Sequence, residues 1–223
     1  MVTKKPDINT HPDFVPAPLT KETFEQGLQF LAAHDSDLAQ ILTQLGPPPM
    51  WARKPGFPTL IHIILEQQVS LASARAAYDR LRKAASPLTP ARFLELDDAT
   101  LKGIGFSRQK TAYGRRLAKA LLEGHLDLDK LAMMPDSNVR AELTKLKGIG
   151  PWTADIYLLM ALGRPDIMPC ADLALATAAQ KVKGLASRPT PDELKTLGQN
   201  WKPWRAVAAR LLWHYYLSQR PPA

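Results

Sequence analysis

Apolar residues recur at helical spacing along most of the chain. Phe24, Leu28 and Leu31 form one stripe, opened by Thr20 as an N-cap, with Glu22 and Glu25 near the positive end of the helix. A second stripe, Leu38, Ile41, Leu42 and Leu45, follows Asp35 and stops at Gly46 and three prolines, Pro47 to Pro49. Leu60, Ile61, Ile64 and Leu65 form a third after Pro58, a residue suited to a first helical turn. Ser70 caps a helix carrying Ala74, Ala77, Tyr78 and Leu81. Thr89 and Pro90 open a short helix through Phe93 and Leu94, Ser107 opens one that ends at Gly124, and Ser137 opens one that runs to Leu146. Further helices are expected over 152–162, 173–183, 191–199 and 203–219. No stretch alternates with period two among β-branched residues, as a half-buried strand would. The pattern predicts an all-α fold of about ten helices. Residues 1–19 lack it: Pro6, Pro12, Pro16 and Pro18 break any helix, and a disordered or extended tail is expected ahead of a helical core over 20–223.

Composition narrows the function classes. A chain of 223 residues allows one large domain or two small interlocked lobes. The single cysteine, Cys170, excludes an intrachain disulfide, a four-cysteine zinc site and an iron–sulfur cluster. His11, His34, His62, His125 and His214 are scattered without metal-ligand spacing. No run of ~18 apolar residues occurs and no signal-peptide stretch opens the chain, so a soluble, reduced, intracellular protein with no membrane partner is expected. Lys and Arg number 29 against 21 Asp and Glu, a net charge of +8, which points to a polyanionic partner, nucleic acid first.

The most informative stretch is Leu143 to Ala154, LTKLKGIGPWTA. A helix ends, Lys147-Gly148-Ile149-Gly150 turns tightly, and a second helix starts at Pro151. Glycines let the backbone approach a ligand closely, and Ile149 can plug the gap between the helices. The outward N–H groups, the helix dipole and Lys147 then suit a phosphate. The bland alternative is an ordinary tight turn between packed helices. Leu101-Lys102-Gly103-Ile104-Gly105 echoes the pattern ahead of a helix bearing Arg108, Lys110, Arg115, Arg116 and Lys119; it suggests a second backbone contact or a packed pseudo-repeat. Asp172, ahead of the apolar run from Leu173, is on local grounds an N-cap.

Taken together, hairpin and Asp172 resemble a known family, the helix–hairpin–helix superfamily of DNA glycosylases. The resemblance spans about residues 55–217 and rests on the hairpin followed, about twenty residues later, by Pro169-Cys170-Ala171-Asp172 before a helix. It is closest to the 3-methyladenine DNA glycosylase II branch, in a compact form without the extra N-terminal domain. Three segments carry that: Gly150-Pro151-Trp152-Thr153-Ala154-Asp155, Glu66-Gln67-Gln68-Val69-Ser70, and Trp201-Lys202-Pro203-Trp204-Arg205 with Trp213 downstream.

The resemblance implies two helical lobes with the active site between them. It implies Asp172 as the catalytic carboxylate, Trp152, Trp213 and Ile156 at the base pocket, and Gln68 as the wedge that fills the gap left by a flipped nucleotide. Ile156 stands where one relative has a tyrosine, which puts the breadth of the pocket in question. Lys147, Gly148, Gly150 and Thr153 would meet the DNA backbone. The main-chain carbonyls of Thr144, Leu146 and Ile149 would hold a structural Na+ or K+; no other cofactor is implied. The implied partner is double-stranded DNA containing alkylated bases, bound by a monomer in the nucleoid of a bacterium or the nucleus of a eukaryote. Alkylation at purine N3 or N7 makes the base cationic and weakens its glycosidic bond, so one carboxylate suffices to steady the developing sugar cation. Aromatic pocket walls favour such a base through cation–π contact. Relatives that also cut the strand carry a lysine where Trp152 stands, so a monofunctional hydrolase is expected. Two alternatives remain: a non-catalytic module that binds DNA junctions or damage, and a glycosylase for oxidised or deaminated bases. For Gln68 the alternative is a helix-terminal cap, and for the tryptophans plain core packing.

Overall fold

Local capping decides where most helices begin. The computed structural model describes residues 14–219 and contains thirteen α-helices and no strand among them. Thr20 accepts the Thr23 N–H in a reciprocal capping box and opens α1 (Lys21–His34). Asp35 both ends α1 and caps α2 (Ser36–Leu45), accepting from the N–H groups of Asp37 and Leu38. Side-chain oxygens of Ser70, Thr89, Asp97 and Ser107 cap α4 (Leu71–Ala84), α5 (Pro90–Glu95), α6 (Asp98–Ile104) and α7 (Arg108–Leu122). Between α2 and α4 lies α3 (Phe57–Glu66), with Pro58 in its first turn. The remainder are α8 (Leu128–Ala132), α9 (Asp136–Thr144), α10 (Pro151–Ile156), α11 (Leu173–Val182), α12 (Pro191–Leu197) and α13 (Arg205–Ser218).

Several boundaries differ from the sequence pattern. The pattern shows neither α6 nor α8: at seven and five residues they establish no helical period, and α6, though capped by Asp97, lacks the proline that marks the first turn of the similarly short α5. α9 starts at Asp136 and ends at Thr144, two residues before Leu146. The stretch expected over 152–162 is α10 continued by a π-helical turn, Tyr157–Ala161. The one expected over 191–199 is α12, continued by a turn of 3-10 helix, Gly198–Trp201, and the one expected over 203–219 is α13, which starts two residues later and ends one earlier. Of the proposed N-terminal tail, residues 1–13 lie outside the described residues, while 14–19 carry no helix.

The chain divides into two compact units, one of residues 1–49, 133–136 and 164–223, the other of residues 50–132 and 137–163. In the first, α13 packs against α1, α2 and α11. A Cβ on Gly27 would lie 2.9 Å from the Val207 side chain and 3.0 Å from Trp204, so α1 and α13 can approach this closely only at glycine. Asp35 draws the ends of this unit together, accepting from Trp201 Nε1 at 2.8 Å and from Lys183 Nζ at 2.5 Å. In the second unit α3 is apolar nearly all round and buries seven of its ten residues, packing against α4, α7 and α10. That is the signature of a central helix. The two units differ sharply in charge. Residues 50–132 and 137–163 hold 17 Lys and Arg against 10 Asp and Glu, or +7, whereas the other unit holds 12 against 11, or +1.

Candidate functional site

In the second unit the chain leaves α9, turns through residues 145–150 and enters α10. The Leu146 N–H bonds the Leu143 carbonyl at 3.2 Å and the Ile149 N–H bonds the Leu146 carbonyl at 2.9 Å, closing two successive turns. Ile149 is buried and plugs the hairpin, while Lys147 and Gly150 are exposed. The two glycines serve different needs. Gly148 has φ +108°, and a Cβ there would fall 2.2 Å from Cγ of Tyr113, so the hairpin seats directly on the α7 ring. Gly150 has ordinary extended φ, and a Cβ would meet nothing within 4 Å. Its bareness serves no internal packing and suits close approach by an outside ligand.

Beside the hairpin lies the loop after α3. Gln68 is exposed with φ +56°, a left-handed backbone in a residue other than glycine. Gln67 Nε2 donates to the Gly148 carbonyl and to Thr153 Oγ1, both at 3.0 Å. Thr153, expected to meet the DNA backbone, is 1% exposed and its hydroxyl faces inward and accepts from Gln67, so its side chain is turned away from solvent. Gln67, Gln68, Lys110, Tyr113, Thr144 and the hairpin line a cavity of about 390 Å³. Lys110 Nζ donates to the Leu65 carbonyl at 2.7 Å, and burial pushes its ammonium below the usual lysine range. Trp152, on the first turn of α10, is half-buried. Ile156, one turn further on, is 2% exposed and presents no open face, so its placement as pocket wall is not supported by its packing. The earlier Gly103-Ile104-Gly105 echo is a packed turn. Gly105 closes α6 at φ +114°, Ile104 is buried, and the Ile104 carbonyl is taken by Arg80 Nε at 2.9 Å.

Asp172 belongs to the first unit. The segment before it is pinned at Asp166, which accepts from Arg205 Nε at 2.7 Å and Nη2 at 2.9 Å, and at the Pro165 carbonyl, which accepts from the Ala206 N–H. The Asp172 N–H turns back onto the Pro169 carbonyl at 2.9 Å. Asp172 then caps α11, Oδ1 accepting the Leu175 N–H at 2.9 Å. The indole Nε1 of Trp213, on α13, donates to the same Oδ1 at 3.3 Å. The carboxyl is half-buried, and Leu173 beside it is 67% exposed. Trp213 itself is 8% exposed, so its visible work here is to orient Asp172 rather than to offer a broad stacking face. Gln67, Tyr113 and this orienting bond escaped the sequence reading, because nothing local to those residues signals a partner far along the chain. Among the described residues no group of His, Cys, Asp and Glu is arranged to hold a metal ion, and no helix is long and apolar enough to cross a membrane.

Comparison with known proteins supplies the context. The sequence model of the family described as HhH-GPD superfamily base excision DNA repair protein matches residues 61–204. The alkylbase DNA glycosidase-like protein mag2 of Schizosaccharomyces pombe is 28% identical over 197 residues, covering 85% of this chain and 92% of its own. A crystal structure of a DNA-3-methyladenine glycosidase from Bacillus halodurans aligns with a TM-score of 0.69 at 30% identity, over 84% of this chain and 87% of that one. A 3-methyladenine DNA glycosylase of Schizosaccharomyces pombe, in complex with abasic DNA, shares the fold with a TM-score of 0.78 at 24% identity, over 84% of this chain and 95% of that one.

Proposed function

The chain belongs to the HhH-GPD superfamily of base excision DNA repair proteins, and we infer that it is a DNA glycosylase that binds duplex DNA and hydrolyses the N-glycosidic bond of alkylated purines. Two of the relatives above are named as 3-methyladenine enzymes and the third as an alkylbase glycosidase-like protein. One observation carries the catalytic reading over a module that only binds: Asp172 is held by the Leu175 N–H and by the Trp213 indole on one oxygen. A binding module needs no carboxylate fixed in that way.

The chemistry follows from the substrate. An N3- or N7-alkylated purine leaves as a neutral base, so its departure needs no proton from the enzyme. Positive charge grows on the sugar, and a carboxylate whose plane is already set stabilises it without reorganising. Asp172 does this and directs the water that completes hydrolysis. Trp152, half-buried, offers a ring face to the cationic base. Gln68, exposed at the loop tip, fills the gap in the duplex and pairs with the orphaned base through its amide. Lys147 and the bare backbone at Gly150 take phosphates, and the +7 charge of their unit draws the duplex in.

Thr144, Leu146 and Ile149 line the hairpin cavity, and the Leu146 carbonyl keeps a lone pair beyond the one used by Ile149. Carbonyl oxygens are the donors an alkali cation takes, and these three would hold Na+ or K+, which would add positive charge beside a phosphate. Trp152 stands at the position of the strand-cutting lysine, so the product is an intact strand with an abasic site. The protein acts as a monomer wherever the cell keeps its DNA.

Chromatography of bases released from methylated duplex tests this reading, with a neutral-quenched denaturing gel and a borohydride trap alongside. Free 3-methyladenine or 7-methylguanine, with uncut strand and no trapped adduct, is expected. Release of oxidised or deaminated bases instead would move the substrate class. Release of none would leave only the binding module. A nick or a trapped adduct would replace hydrolysis by lyase chemistry.

A further inference from the structure

The side chain of Gln67 spans from the loop that carries the wedge to the hairpin that carries the phosphate grip. Its one amide NH2 has two donors, and both are used: one on the Gly148 carbonyl, 81 residues away, and one on Thr153 Oγ1, 86 residues away. Thr153 is almost wholly buried, so these bonds are shielded from competing water. Gly148 cannot drift, because its Cα sits against the Tyr113 ring. The carbonyl that Gln67 holds is therefore a fixed point of the hairpin.

The next residue is Gln68, at φ +56°. A left-handed backbone outside glycine persists only where its neighbours hold it. They do so here at three places. Glu66 takes both Nη atoms of Arg53, at 3.0 and 2.7 Å, the Leu65 carbonyl takes Lys110, and Gln67 takes the hairpin. Beyond Gln68 the loop has no such restraint in the apolar side chains of Val69 and Leu71, which are 45% and 53% exposed. Gln67 is thus the last fixed side chain before the tip.

We propose that Gln67 is a positioning residue that couples insertion of Gln68 into the duplex to the hairpin's hold on the backbone, without itself touching DNA; this rests on the glycosylase reading above. When the hairpin sits on phosphates, the Gly148 carbonyl is fixed relative to the strand, and through Gln67 so is the base of the wedge. Without the tie the hairpin still binds any duplex. The loop must then be ordered afresh at each flipping event, which weakens the flipped complex alone.

The experiment compares the full chain with Gln67→Met and Gln67→Glu, which keep length but lose the amide donors, and with Thr153→Val and Thr153→Ser. Affinity is measured for a duplex with a tetrahydrofuran abasic analogue and for the same duplex undamaged. Gln67→Met is expected to lower the preference for the analogue about tenfold, with affinity for undamaged duplex within about twofold. Thr153→Val should lower it several-fold, Thr153→Ser should restore it, and Thr153→Val added to Gln67→Met should change nothing more. In the free protein, amide exchange over residues 68–71 should quicken in Gln67→Met and not elsewhere. Equal loss on both duplexes, or an unchanged preference, overturns the coupling. Wild-type protein that shows no preference for the analogue would instead count against the glycosylase reading. Unaltered exchange at 68–71 would then still overturn the tie by itself.

Discussion

The indole N–H of Trp213 and the leading Leu175 N–H of α11 meet on one oxygen of Asp172, and Trp213 reaches it across 41 residues of sequence. The bond from Leu175 is what any N-cap makes. The bond from Trp213 is not; it comes from another helix and fixes the carboxyl plane. The capping role of Asp172 and the catalytic role proposed for it therefore share the same geometry, and a substitution can separate them only if it preserves the cap.

Asp172→Asn does preserve it, since asparagine caps as well as aspartate and its amide oxygen can still accept from Leu175 and Trp213. Thermal stability is expected to stay within a few degrees of wild type. Single-turnover base release should fall by roughly 10²–10³ or more, the size of effect seen when a charge-stabilising group is removed from a transition state. Affinity for abasic duplex should hold within a few-fold. Wild-type turnover by this variant would remove Asp172 from the chemistry.

Trp213→Phe keeps an aromatic ring and loses the N–H. If the indole acts by orienting Asp172, the chemical step should slow by about tenfold, the lower range for a hydrogen bond to a charged group, with KM nearly unchanged. If it acts mainly by stacking on the base, Trp213→Phe should be nearly silent and Trp213→Ala should raise KM. Steady-state and single-turnover kinetics on one methylated duplex distinguish the two.

The hairpin glycines should part company. Gly148→Ala places a Cβ 2.2 Å from the Tyr113 ring at φ +108°, so it should unfold or strongly destabilise the protein, read as a large drop in Tm. Gly150→Ala meets no atom within 4 Å and should leave Tm unchanged. It should weaken binding to every duplex alike, because phosphate contacts carry no base information, and the affinity that remains should still fall steeply with salt. Unaltered binding by Gly150→Ala would show that no backbone approaches there.

Asp35 gives the fold a defined acid sensitivity. Burial alone would raise its pKa. Hydrogen bonds from Lys183, Trp201 and the Leu38 N–H, and the charge of Lys183, outweigh that and hold it below the usual carboxylate range. A depressed folded-state pKa means a contribution fully present above the unfolded value of about 3.9 and lost as pH falls through the lower folded value. Asp35→Asn should therefore cost about 2 kcal/mol at pH 7 and progressively less below about pH 4. Urea melts of both proteins at pH 7 and pH 3 check this; a gap that stays constant with pH would show that the charge is not involved.

The sequence determined what depends on near neighbours. Helix starts at Thr20, Asp35, Ser70, Thr89 and Ser107 were legible because a cap bonds an N–H two or three residues on. The hairpin with its buried Ile149, and Asp172 at the head of a helix, were legible for the same reason. The short helices α6 and α8 were not, since one or two turns show no period and, unlike Thr89 of α5, the Asp97 cap of α6 has no proline behind it to mark a first turn. What the tertiary structure alone decided is which way each helix faces. Thr153 turns inward to Gln67, Gly148 rests on Tyr113, Ile156 is sealed, and Trp213 points to Asp172. Each depends on the rotation of one packed helix against another. Packing of whole apolar faces sets that rotation, and no residue's immediate neighbours in the chain encode it.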